Sequence, residues 1–412
     1  MKVLHISYCD DGEGAAIAAN RLCEALIDIG VETKLLVKRK VGGKPFVIKA
    51  GHGILSNALS LLKTGLDILV SKSICVDRSI YFSLPLLSSL KLTSEVYDAE
   101  IIHLHWVNRG FLNLVDLYNL SKIGRPVFIT MHDNWYYTAG CHMVGQCDGF
   151  ITGCKRCPVS RAKLLTSIVA KLKKQIIGRA KNFHFIAISE KMKTLSKTSY
   201  ILESVDPIHL PNCIDTEIFK PRDKETSRSV FNLPFEKIII LFLVSDDPRK
   251  GMEYVIKLMD DPSYSNGMYL FVGYGSEICP ERIKNKKNVK VVGRLKDPHS
   301  LALIYSSADV LLSPSTEEPF GLTHIEAMAC GTPTIGFDDT GTASIIEHKI
   351  TGYLAKYKNA DDLKVGLDYS ITNFAVLSAA SIESALRRYS YSVVAKNMLA
   401  EYIALSASKS ND

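Results

Sequence analysis

The segment from Ser315 to Pro333 is the part of this 412-residue chain whose residue types and spacing are best suited to chemistry. Its pattern predicts a buried strand at 310–312, a polar loop, and a helix that begins near Gly321 and ends at Gly331. The first turn of such a helix leaves backbone N–H groups unpaired, so a phosphate binds well there. Glu318 in the loop and Glu326 in the helix could then contact a sugar and the hydroxyls of a ribose.

A second cluster of charge lies at Asp246–Gly251, directly after a predicted strand at 237–244. Arg249 and Lys250 are adjacent cations at the carboxyl end of that strand, where they can hold a diphosphate and stabilise its charge as it leaves. The alternative is that the two side chains are only surface charge.

Histidines stand at the ends of two further predicted strands, in Ile101–Trp106 and in Thr130–Trp135. Residues 103 and 105 share one face of their strand, because side chains alternate along a strand. His132 is the better candidate for a functional histidine and His105 is the second. The alternative is that these histidines are structural.

Ten cysteines are present, of which six are scattered in apolar surroundings typical of buried thiols. The remaining four are crowded together, and such a density of thiolates could complete a tetrahedral structural zinc site formed by Cys141, Cys147, Cys154 and Cys157. Only the second pair has the usual two-residue gap. Reduced buried thiols are therefore an equally open interpretation.

The elements that must position these residues follow an alternating pattern of strands and helices. Apolar runs predict strands at 2–7, 31–37, 99–106, 126–131, 183–188, 237–244, 268–272, 289–292, 310–312 and 333–336. A helix at 15–29 follows the first strand, which favours a parallel, doubly wound α/β sheet. A turn-rich stretch at 210–221 resembles a linker. We expect two Rossmann-like domains facing a cleft, at residues 1–212 and 213–385, and a C-terminal helix at 386–412 that can cross back to the first domain.

The motif around Glu318 and Glu326 resembles that of retaining glycosyltransferases of family 4, also called glycosyl transferases group 1. Seven residues separate the two glutamates, as in that family, and Pro319-Phe320-Gly321 also matches. The resemblance implies the GT-B architecture. It implies that Glu318 contacts the donor sugar and Glu326 the ribose, while the backbone of Phe320, Gly321 and Leu322 contacts the diphosphate or sugar.

The resemblance extends to other positions of the chain. It implies that Arg249 and Lys250 stabilise the leaving diphosphate, that the base packs near Arg294, and that His132 touches the sugar or acceptor. Gly14 keeps the close-approach position of the first Gly-rich loop, although Glu13 stands where a glycine is often found. A further basic residue that the family carries a few positions before Arg249 is not apparent.

The resemblance also implies an activity: front-face transfer with retention, without a metal or other cofactor at the catalytic centre. Residues 130–158 are similar to a subgroup of colanic-acid, capsule and O-antigen enzymes. We therefore expect transfer of a hexose-type sugar from a UDP- or GDP-sugar to a saccharide acceptor, itself lipid-linked. The alternatives are a nucleotide-sugar epimerase or hydrolase on the same fold, and a zinc-dependent nucleic-acid-binding protein.

The charge pattern bears on location and on a membrane partner. The net charge is +7, and residues 149–189 contain nine basic and no acidic residues. No signal peptide or membrane span is apparent, so we expect a cytoplasmic protein, peripheral on the inner face of the cytoplasmic membrane. A helix at 161–181 could contact anionic lipid through an apolar face and the basic residues Lys163, Lys171, Lys173 and Lys174. The alternative is that the apolar face packs in the core.

Overall fold

The fold is described from a computed structural model of the chain. It describes residues 1–51, 54–76, 82–86, 88 and 94–407, with the backbone alone at 54–57. The chain divides into two compact units. The first contains Met1–Cys213 and the segment from Val394 onward, and the second contains Ile214–Val393.

The first unit is built on a parallel sheet of seven strands in the order β3-β2-β1-β4-β5-β6-β7. The strands are β1 Lys2–Cys9, β2 Glu32–Arg39, β3 Val47–Lys49, β4 Ile101–Leu104, β5 Val127–Met131, β6 Phe183–Ala187 and β7 Ile208–His209. The helices are α1 Gly14–Asp28, α2 Ile54–Ile74, α3 Ser94–Asp98, α4 Leu114–Ser121, α5 Lys163–Ile176 and α6 Glu190–Thr198. The central strands β1, β4 and β5 are almost wholly buried, as expected of a parallel sheet covered on both faces.

The second unit has a parallel sheet of six strands in the order β10-β9-β8-β11-β12-β13. The strands are β8 Ile238–Leu243, β9 Tyr269–Tyr274, β10 Val289–Val291, β11 Val310–Leu312, β12 Thr334–Phe337 and β13 Gly352–Ala355. The helices are α7 Lys224–Val230, α8 Met252–Met259, α9 Glu281–Lys284, α10 Pro298–Ser307, α11 Leu322–Ala329, α12 Ala360–Thr372, α13 Phe374–Tyr389 and α14 Tyr391–Ala407. From Val394 onward α14 belongs to the first unit, where Tyr402 contacts His103.

Every strand that the sequence predicts has a counterpart in one of the two sheets. The three strands that it does not predict are β3, β7 and β13, and each lies at the edge of its sheet. Edge strands are short and pair on one side only, so their apolar pattern is weak.

Helix α5 does not present all of its predicted basic residues at the surface. Lys173 is fully buried, and its Nζ donates to the backbone carbonyls of Trp135 and Thr138. Burial lowers the pKa of Lys173 to about 7. Inside the fold the Lys173 amino group needs hydrogen-bond partners, and these two carbonyls supply them. The prediction that Lys173 faces lipid is therefore wrong.

The surface of α2 is apolar where a surface helix is normally polar. Its most exposed large side chains are Leu59, Leu61, Leu62, Leu66, Leu69 and Val70. The polar residues Asp67 and Ser71 of the same helix are buried instead. Among the helices that the structure describes, none combines the length and the hydropathy that a membrane span requires.

Candidate functional site

A tight turn after β8 brings the predicted cations against the loop that carries Glu318. Gly251 adopts a left-handed φ of 70°, and a Cβ at this position would lie 1.9 Å from the carbonyl oxygen of Pro314. Only glycine permits this approach. The N–H of Thr316 then donates to the carbonyl of Arg249 at 2.7 Å, which fixes the two loops together.

Lys250 and Glu318 form an ion pair at the centre of this arrangement. The Lys250 Nζ lies 2.7 Å from the Glu318 Oε2, and the two side chains keep 32% and 16% of their surface exposed. Burial is the largest influence on the Glu318 carboxyl and raises its pKa. The Lys250 ammonium, with smaller contributions from His324 and the Phe320 N–H, outweighs burial, so the net pKa lies below its ordinary value. The Glu318 side chain is therefore a carboxylate at neutral pH.

Arg249 is held differently from Lys250. Its guanidinium makes two hydrogen bonds to the Asp247 carboxylate, at 3.0 and 2.6 Å, and Asp247 also accepts from the Arg249 N–H. The carboxylate fixes the direction of the guanidinium and offsets part of its charge. Of the two predicted cations, only Lys250 contacts Glu318 directly.

The helix that follows Glu318 begins as the sequence predicts. Gly321 precedes the first residue of α11, Leu322, with a φ of 109° that other residues rarely adopt. Phe320 is buried and packs edge-on against Tyr389, with ring centroids 6.1 Å apart. Helix α11 thus begins four residues after Glu318, which is paired with Lys250.

His324, in the first turn of α11, is a residue that the sequence analysis did not single out. It is fully buried, and neither of its ring nitrogens has a hydrogen-bond partner among the described residues. Burial lowers its pKa to about 4, and the charges of Glu318 and Lys250 act on it in opposite directions. A histidine three positions after the glycine of the motif is a signal that could have identified it.

Glu326 lies deeper in α11 and is hydrogen-bonded to a tyrosine on another helix. Its Oε2 accepts from the hydroxyl of Tyr305 at 3.0 Å, and that hydroxyl lies 3.2 Å from the hydroxyl of Tyr274. The exposed fraction of Glu326 is 5%. Arg294, by contrast, is exposed after β10, in the loop where the Gly275 N–H donates to the Gly293 carbonyl.

In the first unit, the two predicted histidines at the strand ends, His105 and His132, contact each other. His132 Nε2 lies 2.9 Å from His105 Nδ1. Burial lowers the pKa of His132 to about 4 and that of His105 well below its ordinary value. Gly14 is the first residue of α1, after Glu13, whose carboxylate pairs with Arg109 at 2.7 Å.

The four crowded cysteines are free thiols, three of them buried and Cys147 partly exposed. Cys141 and Cys157 share a hydrogen bond that raises the pKa of the first and lowers that of the second. Across the described residues, the group of metal-ligating side chains that lie close together is formed by His5, His103 and His105, in or directly after β1 and β4, and not by these cysteines. The structural zinc site stays a prediction.

Comparison with known proteins identifies the family of the second unit. Residues 223–383, which include the Lys250–Glu318 pair and Glu326, match the family described as glycosyl transferases group 1. The second unit belongs to this family. An uncharacterized glycosyltransferase of Methanocaldococcus jannaschii, MJ1607, is 27% identical over 191 residues, which are 44% of this chain and 48% of that protein. The chain thus matches about half the length of this relative.

Solved structures that are similar to this chain in fold match residues of both units. Sucrose-phosphate synthase from Thermosynechococcus elongatus has a TM-score of 0.67 at 19% identity, covering 99% of this chain and all of that one. HepE from Anabaena, solved in complex with UDP and glucose, has a TM-score of 0.65 at 15% identity, covering 98% of this chain and 99% of that one. At these identities the likeness shows the fold alone. The predicted two-domain α/β fold of the GT-B glycosyltransferases is confirmed.

Proposed function

We propose that this chain is a retaining glycosyltransferase that transfers a hexose-type sugar from a UDP- or GDP-sugar to a lipid-linked saccharide acceptor in surface polysaccharide biosynthesis. The observation that carries the proposal is the Lys250–Glu318 pair beside the start of α11, within the segment that matches glycosyl transferases group 1. The likeness to HepE, which was solved with UDP and glucose, favours a UDP-sugar as the donor.

In this proposal each group acts on a different part of the donor. The Lys250 ammonium, the Arg249 guanidinium and the first turn of α11 stabilise the negative charge that grows on the diphosphate as the sugar leaves. Glu318 binds the sugar, Glu326 accepts from the ribose hydroxyls, and the base packs near Arg294. His132 contacts the sugar or the acceptor, and no metal or other cofactor takes part in the transfer.

Ligand-induced stabilisation tests the donor, and product analysis tests the reaction. A ligand at 100 times its dissociation constant stabilises the native state by about 2.7 kcal/mol, so a UDP-sugar should raise the melting temperature measurably. We expect labelled sugar to leave the donor only when a saccharide acceptor is present, and the label to be recovered on that acceptor. Consumption of the donor without acceptor would indicate a hydrolase or an epimerase, and the absence of stabilisation by UDP-, GDP- and ADP-sugars would contradict the proposal.

We further propose that the protein is cytoplasmic and peripheral on the inner face of the membrane, with α2 as the contact. Leu61, Leu62 and Leu69 of this helix are 74%, 59% and 61% exposed. By helical spacing, Lys63 and Lys72 lie near opposite edges of the exposed apolar face of the helix. The one acidic residue of the helix, Asp67, is buried. An apolar face flanked by lysines suits an anionic lipid surface, where each basic residue contributes about 1 kcal/mol.

Sedimentation with anionic liposomes tests this contact. We expect the wild type to sediment at low salt and less at high salt, because salt screens surface charge. Changing Leu61, Leu62 and Leu69 to serine should abolish sedimentation while transfer to a soluble acceptor persists. The matched control replaces Lys163, Lys171 and Lys174 of α5 with glutamine; loss of binding in this control alone would place the contact on α5 instead.

A further inference from the structure

Three histidines from three neighbouring strands form a continuous chain of hydrogen bonds in the first unit. His5 lies in β1, His105 follows β4 and His132 follows β5, and these strands are adjacent in the order β1-β4-β5. His132 Nε2 is 2.9 Å from His105 Nδ1, and His105 Nε2 is 2.9 Å from His5 Nδ1. The middle histidine thus uses both of its ring nitrogens.

The ring geometry shows that these contacts run edge to edge. In each pair the ring centroids are 5.2 Å apart, and the ring planes differ by only 18° and 27°. A centroid separation of this size is what two nearly coplanar imidazoles reach when a nitrogen of one points at a nitrogen of the other. Each contact is therefore a well-directed N–H···N hydrogen bond.

The same distances argue against a metal ion at this place, although His5, His103 and His105 lie close together. Two imidazole nitrogens on one zinc ion, each about 2.0–2.1 Å from it, lie about 3.3 Å apart in tetrahedral geometry, which is more than the 2.9 Å found between His5 and His105. His103 stacks on both rings, at 4.8 and 4.5 Å, and its own nitrogens bond Thr130 and Tyr402. His103 therefore packs against the row of hydrogen-bonded histidines without taking part in its hydrogen bonds.

The positions of the ring protons follow from the two outer nitrogens of the hydrogen-bonded histidines, His5 Nε2 and His132 Nδ1. Burial keeps all three rings neutral at pH 7, because it lowers the pKa of each one well below 6.5. Three neutral rings carry three protons, and two of these form the internal hydrogen bonds. The third must lie either on His5 Nε2 or on His132 Nδ1.

The two ends differ in their surroundings. His5 is fully buried, and its Nε2 has no hydrogen-bond partner among the described residues. His132 is partly exposed and lines a cavity of about 20 Å³, which is room for one water. Buried N–H groups without an acceptor are rare because nothing compensates the loss of their hydrogen bonds to water. The third proton is therefore better placed on His132.

We propose that His105 and His5 are positioning residues that hold His132 in the Nδ1–H form, so that it presents a hydrogen-bond donor to the substrate. His5 Nδ1–H donates to His105 Nε2, and His105 Nδ1–H donates to His132 Nε2. This leaves the His132 Nδ1–H to bind an oxygen of a sugar hydroxyl or a phosphate, and it excludes Nδ1 as a resting general base. The identity of that ligand rests on the proposed function, whereas the proton positions do not.

Nitrogen NMR of histidine-labelled wild-type protein at pH 7 measures the proton positions without any assay of transfer. Long-range proton–nitrogen correlations distinguish the Nδ1–H from the Nε2–H form of each ring, and single substitutions of His5, His105 and His132 assign the signals. We expect all three to be Nδ1–H. An Nε2–H form at His132, or mixed forms along the chain, would overturn the proposal even if the protein transfers sugar.

A pair of isosteric variants at His5 tests the effect on substrate. In His5→Asn the amide N–H can still donate to His105, so His132 should keep its form and the KM should stay within about threefold of wild type. In His5→Asp the carboxylate can only accept, so the chain must reverse and the KM should rise about 10-fold, as for the loss of one hydrogen bond. An unchanged His132 signal in a folded His5→Asp variant would contradict the coupling. If that variant does not fold, the wild-type spectrum decides alone.

Discussion

Replacing Lys250 with alanine should lower kcat by about 100- to 1,000-fold, the loss seen when one donor to a developing negative charge is removed. The KM for the nucleotide-sugar should change much less, because the charge on the diphosphate grows mainly as the sugar leaves. The ammonium contacts Glu318 at 2.7 Å and is one-third exposed, so it can reach a ligand at this place. Steady-state kinetics with the preferred donor and a soluble acceptor measure both constants.

The matched control is Lys284→Ala, which removes the same charge from an exposed pair with Glu281 in the same unit. Its kcat should equal that of the wild type. As the pH is lowered, the Lys250 variant should lose its remaining activity at a higher pH than the wild type does. Without the ammonium, burial raises the pKa of the Glu318 carboxyl, so this group takes up its proton earlier. A kcat within about threefold of wild type would remove Lys250 from the proposed mechanism.

The sequence was enough to predict the strands and the loops that carry the proposed donor site. Strand, glycine and charge follow each other within a few residues at both Asp246–Gly251 and Ser315–Pro333, so local rules of chain geometry apply. The close approach of Gly251 to Pro314 could not be predicted in this way. It depends on β8 and β11 being neighbours, although β9 and β10 separate them in the chain.

The partners of the candidate residues were also beyond sequence reasoning. Tyr305 reaches Glu326 from a different helix, and His5 reaches His105 from a strand about a hundred residues earlier. Nothing in the local pattern around Tyr305 or His5 distinguishes them from core residues. Their roles become visible only when the order of the strands fixes which side chains meet.

Helices α2 and α5 show the limit of periodicity in another way. Apolar and basic residues at helical spacing define two faces of a helix, but they do not say which face is buried. In α5 the side chain of Lys173 turns into the core, where its Nζ donates to two backbone carbonyls. In α2 the buried side is polar, since Asp67 lies beside Lys38 and Thr64 donates to the Arg109 carbonyl. Burial is decided by the partners across the interface, and the sequence of one helix does not contain them.

Replacing Glu326 with alanine should weaken the binding of UDP by about 10- to 150-fold, the equivalent of about 1.5–3 kcal/mol for a hydrogen bond to a charged group. In the proposed function the carboxylate accepts from the ribose hydroxyls. The variant should fold, because the Tyr305 hydroxyl, which loses Glu326, keeps the Tyr274 hydroxyl as a partner at 3.2 Å. Isothermal titration calorimetry with UDP measures the change in affinity.

The ribose contact itself is tested with a second ligand, 2′,3′-dideoxy-UDP. The wild type should bind this analogue much more weakly than UDP, whereas Glu326→Ala should bind the two alike, because the group that distinguishes them is gone. Tyr305→Phe is the control: it removes the hydroxyl that donates to Glu326 at 3.0 Å but keeps the carboxylate, so it should still discriminate between the ligands. If Glu326→Ala retains the wild-type preference for UDP, the carboxylate does not bind the ribose, and its hydrogen bond to Tyr305 is then a structural contact between α10 and α11.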